Sequence, residues 1–221
     1  MSLYLKREVN SQITIGIWAI TESISELAKC INLSDLELEE LNKIKYESKK
    51  LQWLSLRALL NEILQVKADI KYTEKGKPYL EGHHLKISFS HTLKFAAVIV
   101  NKEKETGIDI EKINPKVERI KSKFLSEQEL GDDKKEYVLE KLLVYWGAKE
   151  ALYKLYGKKE LAFKENILID PFEFMDTGTI KGRITKGGFI KYFTLSYEKI
   201  QDYILVYVLE EINLHPEITI P

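Results

Sequence analysis

A helix followed by a run of short strands occurs twice along this chain, and that order limits the fold more than any other feature of the sequence. Residues 13–20 read as a strand. Ser34 and Asp35 then offer N-caps to a Leu-, Lys- and Glu-rich stretch that ends near Leu64 as two consecutive helices. Lys75-Gly76-Lys77-Pro78 reads as a turn, because glycine permits positive φ and proline fixes its own. Residues 86–90, 95–100 and 107–111 follow as three strands with short polar connections, which predicts an antiparallel arrangement. The second half repeats the order: a helix from about residue 136 to 156, then strands near 179–184, 190–197 and 203–209, with Gly187-Gly188 at one turn. Trp53, Ala58 and Leu59 recur at equal spacing as Trp146, Ala151 and Leu152. That likeness reads either as internal duplication or as chance between two amphipathic helices. Duplication predicts an α+β fold of two similar halves, 1–104 and 105–221, each a long helix on a small antiparallel sheet, with a cleft between them.

Composition removes several classes of function. Among 221 residues, 34 Lys plus Arg balance 34 Asp plus Glu, so no global field draws the chain to nucleic acid or to an anionic membrane. The one cysteine, Cys30, allows neither an internal disulfide nor a cysteine zinc ribbon, and a reducing cytoplasm is the expected location. Residues 1–10 carry Lys6, Arg7 and Glu8 with no apolar run after them, and no stretch approaches the roughly 18 apolar residues of a membrane span.

Strand alternation turns Asp109 and Glu111 to one face of Gly107-Ile108-Asp109-Ile110-Glu111, while Ile108 and Ile110 go into packing. Such a pair is either a solvated strand edge or two acids that need a cation between them. On the later helix the apolar stripe Leu139, Leu142, Leu143, Trp146, Tyr153 is interrupted at Lys149 and Glu150, and Lys154 lies one turn beyond Glu150. The plain reading is a helix ion pair at the edge of the core. Joined with Asp109 and Glu111, however, Glu150 completes an all-oxygen set suited to magnesium, or manganese in its place, and magnesium usually sits on substrate phosphates. Lys77, Ser90-His91-Thr92, Arg57, Lys43 and Lys45 are the candidates for holding phosphate. Each has a plainer alternative: a solvated helix face for Lys43 and Lys45, an arginine lying over apolar surface for Arg57, a structural histidine for His91. A Ser90-His91 hydrolytic dyad is disfavoured, since adjacent strand residues face opposite ways.

In this order and spacing, the motifs resemble the 4'-phosphopantetheinyl transferases, in particular the larger surfactin-type branch in which one chain holds two repeats. The resemblance rests on Gly76-Lys77-Pro78, Ile87-Ser88-Phe89-Ser90-His91-Thr92, Gly107-Ile108-Asp109-Ile110-Glu111, Phe124-Leu125-Ser126-Glu127-Gln128-Glu129 and Trp146-Gly147-Ala148-Lys149-Glu150-Ala151-Leu152-Tyr153-Lys154, spanning residues 76–154. The family commonly shows Asn where Ser88 stands and Ser where Thr92 stands. Neither difference removes a metal ligand.

The resemblance implies a coenzyme A cleft between two similar halves. It also implies transfer of the phosphopantetheine arm to a serine of an apo acyl, peptidyl or aryl carrier protein, with release of 3',5'-ADP. Its implied roles give Asp109, Glu111 and Glu150 the Mg2+ and make Glu150 the base. Lys154, with Lys149 beside it, falls on the departing phosphate, and Lys45, Arg57, Lys77, Ser90 and His91 on the nucleotide side. The carrier is expected beside residues 124–129, with Leu125, Leu130, Lys134 and Lys135 as contacts. A single chain holding both halves makes a monomer sufficient, and neither nucleic acid nor membrane is an expected partner. Two other readings remain: a magnesium-dependent nuclease, disfavoured because Lys112 directly follows Glu111 and points to the other strand face, and a catalytically silent carrier-binding module.

Overall fold

The computed structural model describes residues 2–131, 139–158 and 160–212. Three helices start where a serine and a glutamate three residues on satisfy each other's backbone N–H groups. Ser23 and Glu26 begin α1 (Ile24–Ile31), Ser34 and Glu37 begin α2 (Asp35–Lys43), and Ser126 and Glu129 begin α5 (Glu127–Leu130). The order before them is β1 (Leu3–Glu8) and β2 (Ile13–Ala19), and α2 is followed by α3 (Glu47–Leu64). A hairpin of β3 (Ile70–Tyr72) and β4 (Pro78–Leu80) carries the Gly76 turn, with Gly76 at φ +84°. Then come β5 (Lys86–His91), β6 (Phe95–Asn101), β7 (Ile108–Lys112) and α4 (Lys116–Phe124). After α5 follow α6 (Leu139–Tyr156), α7 (Phe163–Asn166), β8 (Ile167–Ile169), β9 (Thr177–Lys186), β10 (Phe189–Ile200) and β11 (Tyr203–Ile212). The helix read from about residue 136 begins, within the described residues, at Leu139. Neither β1 nor α1 was legible in the sequence, both being short and largely solvated.

Among the described residues every strand pairing is antiparallel. One sheet runs β1-β2-β6-β5, the other β7-β11-β10-β9-β8. The three strands expected to run on together are therefore divided: β7 leaves β6 and joins β11, because β6 already has β2 and β5 on its two edges. The 18-residue helix α3 covers one face of the first sheet, with Leu59 and Leu60 packed among Trp18, Ala96, Val98 and Val100. The 18-residue helix α6 covers the second sheet, with Ala148, Ala151 and Leu152 against Ile204, Val206 and Phe193. The opposite faces of the two sheets share a third core, in which Ile13, Ile15, Ile17, Phe95, Ala97 and Ile99 meet Ile108, Ile110, Tyr203, Leu205 and Tyr207. Arg7 on β1 closes this contact at its edge with a two-pronged pair to Glu198 on β10, at 2.6 and 3.2 Å.

Where the sheets meet edge to edge, side chains take the place of a backbone ladder. The N–H groups of Ile108 and Ile110 donate to the hydroxyls of Ser88 (3.4 Å) and Ser90 (3.2 Å) on β5. No described helix is long and apolar enough to cross a membrane.

Candidate functional site

Two glycines allow α6 to lie close on β7 and its neighbour β11. A Cβ on Gly107 would stand 1.8 Å from the carbonyl oxygen of Ala151, and one on Gly147 would stand 2.9 Å from Val206 Cγ2. Glycine at both places lets helix and strand approach until the carboxylate-bearing face of β7 meets Glu150 and Lys154. The result is a cleft of about 520 Å3 lined from both sides of residue 104. Leu56, Tyr72, Lys75, Lys77, Ile87, Phe89, Ser90 and His91 come from the earlier part of the chain, and Asp109, Glu111, Glu150, Tyr153, Lys154 and Gly157 from the later part.

Asp109 is the most enclosed of the four charged groups Asp109, Glu111, Glu150 and Lys154, at 3% exposure. Its Oδ1 accepts from Lys154 Nζ at 2.6 Å and from the Ser90 hydroxyl at 2.8 Å, while Oδ2 is buried with no hydrogen-bond partner. Lys154 Nζ also donates to the Ile108 carbonyl at 3.0 Å. Glu111 accepts from Trp146 Nε1 at 3.2 Å, and burial, then repulsion from Asp109, raises its pKa. Glu150 is pushed up to about 7, first by burial and next by the charge of Asp109, with Lys154 pulling the other way. His91 stands at the solvent side of the cleft, yet desolvation by the cleft walls, then the charge of Lys49, lowers its pKa.

Of the residues expected here, Asp109, Glu111, Glu150, Lys154, Lys77, Ser90 and His91 are brought together. Three others are not. Lys149 is wholly buried behind α6, where Nζ pairs with Glu129 at 2.7 Å and donates to the carbonyls of Phe163 (3.0 Å) and Ile167 (2.6 Å). One residue along a helix turns the side chain by about 100°, so neighbours cannot both face the cleft. Arg57 is 3% exposed, its guanidinium 3.2 Å from the centroid of the Trp53 ring and 3.5–3.6 Å from carboxylate oxygens of Glu40 and Glu37. Its charge is taken up by acids of α2. Lys45 is exposed in the connection between α2 and α3, outside the cleft lining. Tyr153 also lines the cleft and was not among the expected site residues, although its position one turn after Glu150 made it legible.

At the expected carrier surface, Phe124 and Leu125 are core residues, at 1% and 0% exposure, with Phe124 packed edge-on against Trp146. Leu125 is therefore no surface contact. Lys134 and Lys135 lie outside the described residues.

No group of three His, Cys, Asp or Glu side chains among the described residues is arranged so that it could hold a metal ion. The three carboxylates share the cleft but are not closed around one point. Lys154 and Ser90 engage one oxygen of Asp109, and Trp146 engages Glu111. Their chemistry nevertheless suits a hard cation: the donors are all oxygens, Asp109 Oδ2 is buried without a partner, and two of the three acids resist ionisation.

Residues 105–208 match the model of the 4'-phosphopantetheinyl transferase superfamily. The match takes in β7 and α6, and with them Asp109, Glu111, Glu150 and Lys154; Lys77, Ser90 and His91 precede it. No curated protein matches the chain.

Proposed function

We propose, from the superfamily match over residues 105–208, that this chain transfers the 4'-phosphopantetheine arm of coenzyme A to a serine hydroxyl of an apo carrier protein and releases 3',5'-ADP. The observation that carries this reading is the meeting of Asp109, Glu111, Glu150 and Lys154 in one cleft, whose other wall presents Ser90 and His91. In this reading the two halves fall at 1–104 and 105–221 as those of the surfactin-type branch.

Phosphoryl transfer needs charge neutralisation, an oriented phosphorus and a base. Asp109, Glu111 and Glu150 would hold Mg2+, which when bound neutralises and orients the pyrophosphate. Glu150 has the proton affinity of a base that works near neutral pH, and it takes the proton from the incoming serine hydroxyl. Lys154 presents a compact ammonium to the departing phosphate, where it offsets negative charge as the P–O bond breaks. Ser90 gives its one hydroxyl proton to Asp109 and so fixes that acid's orientation. His91, with Lys49 near it, faces the nucleotide phosphates. Exposed Arg119 and Lys123 on α4 give an acidic carrier a cationic surface beside Phe124.

The deciding experiment incubates the protein with coenzyme A, Mg2+ and a panel of apo-carriers and follows carrier mass. A gain of one phosphopantetheine is expected with at least one carrier. Carrier binding without mass gain would instead indicate a silent module, and cleavage of added DNA a nuclease. Asp109→Ala should abolish transfer. Mg2+ should raise the melting temperature of the wild type and leave that of Asp109→Ala unchanged; full activity in this variant refutes the metal assignment.

A further inference from the structure

The turn at residues 73–78 belongs to the earlier part of the chain, yet its lysines end on the later part. Lys77 Nζ donates to the Leu155 carbonyl at 2.6 Å and pairs with Glu105 at 2.5 Å, and Lys75 pairs with Glu160 at 3.3 Å. Leu155 is in the last turn of α6, where carbonyls lack partners within the helix. Gly157, just past that end, has φ +69°, and a Cβ there would stand 2.6 Å from Lys77 Cδ. Glycine is thus required twice over, for its backbone conformation and to let the lysine stem lie across the helix end. The ammonium also sits at the negative pole of the α6 dipole. Two of its three donors are committed, to Leu155 and to Glu105.

We propose that Lys77 is a positioning residue rather than a phosphate contact. It straps the last turn of α6, and so Lys154, to the opposite wall of the cleft. Lys154 directly precedes Leu155, so a frayed last turn withdraws its ammonium from Asp109 while leaving the nucleotide side of the cleft in place. Only the kinetic consequence rests on the transferase reading; the strap itself does not.

Lys77→Met keeps the stem and removes the ammonium. Amide hydrogen exchange at Leu155, Tyr156 and Gly157 should then quicken. Turnover should fall about tenfold, equally with coenzyme A and with 3'-dephospho-coenzyme A, while the Kd for 3',5'-ADP stays the same. Lys77→Arg should restore part of the turnover, and Gly157→Ala, which displaces the stem, should reproduce the loss. The opposite pattern overturns the strap: unchanged exchange, a weakened ADP Kd, and a defect that disappears with the dephospho substrate. If the wild type neither transfers nor binds the nucleotide, the transferase reading fails, and the exchange rates of Lys77→Met still decide for or against the strap.

Discussion

Glu150 sits where burial and two neighbouring acids oppose its ionisation, and this has a measurable cost. Its folded pKa lies above its ordinary value, so the folded protein binds this proton more tightly than the unfolded chain does. Stability from this group is therefore lost as pH rises from about 4.5 through about 7. Glu150→Gln removes that dependence. At pH 8 the variant should be more stable than wild type by about 2–3 kcal/mol in urea unfolding, with the gap closing near pH 4. A gap that is constant with pH would contradict the raised pKa. The neighbouring lysine behaves in the opposite sense. Lys149 and Glu129 are both enclosed, so Lys149→Met leaves a buried carboxylate without its cation and should cost about 3–5 kcal/mol. Lys149→Met combined with Glu129→Gln should cost less than the single change, because the remaining group is then neutral. The sequence showed that both charges at 149 and 150 interrupt an apolar stripe, but not that one is enclosed in the core and the other faces the cleft.

At the scale of elements, the site depends on the fit of α6 against β7, and that fit depends on Gly107. A methyl there would meet backbone, not a movable side chain, with Ala151 O at 1.8 Å and Ala151 C at 2.7 Å. Gly107→Ala should therefore cost about 3 kcal/mol through forced displacement of the helix. Carrier labelling should fall with it even at temperatures where the variant remains folded. Retention of wild-type melting temperature would show that the helix can shift without loss. The alternation that put Asp109 and Glu111 on one face was fully readable, and Ile108 and Ile110 do lie in the core between the sheets. The partner of that strand was not readable. Local pattern placed β7 beside β6, whereas β7 pairs with β11, about a hundred residues later in the chain, and its N–H groups reach β5 at the hydroxyls of Ser88 and Ser90.

On the scale of the whole molecule, residues 105–208 match the superfamily, yet one apolar face of their sheet is covered by the β1-β2-β6-β5 sheet, whose strands lie before residue 105. Expressed alone, residues 105–212 should aggregate, self-associate or remain loosely packed, since Ile108, Ile110, Tyr203, Leu205 and Tyr207 would face water. A monomer with a sharp unfolding transition at the wild-type temperature would refute this. By itself the sequence determined the long helices, most of the strands and their antiparallel pairing, and the placement of Asp109 and Glu111 on one strand face and of Glu150 and Lys154 one helical turn apart. Those follow from periodicity and from the spacing of chemical groups along one helix or strand, which are local properties. Only tertiary structure decided which cations reach the cleft. Arg57 and Lys149 carry the charge a phosphate needs, but each found acids closer at hand, Glu37 and Glu40 for the first and Glu129 for the second. Desolvating a cation is favourable only beside a compensating charge, so long-range packing assigns each cation its partner, and pattern along the chain does not encode that choice.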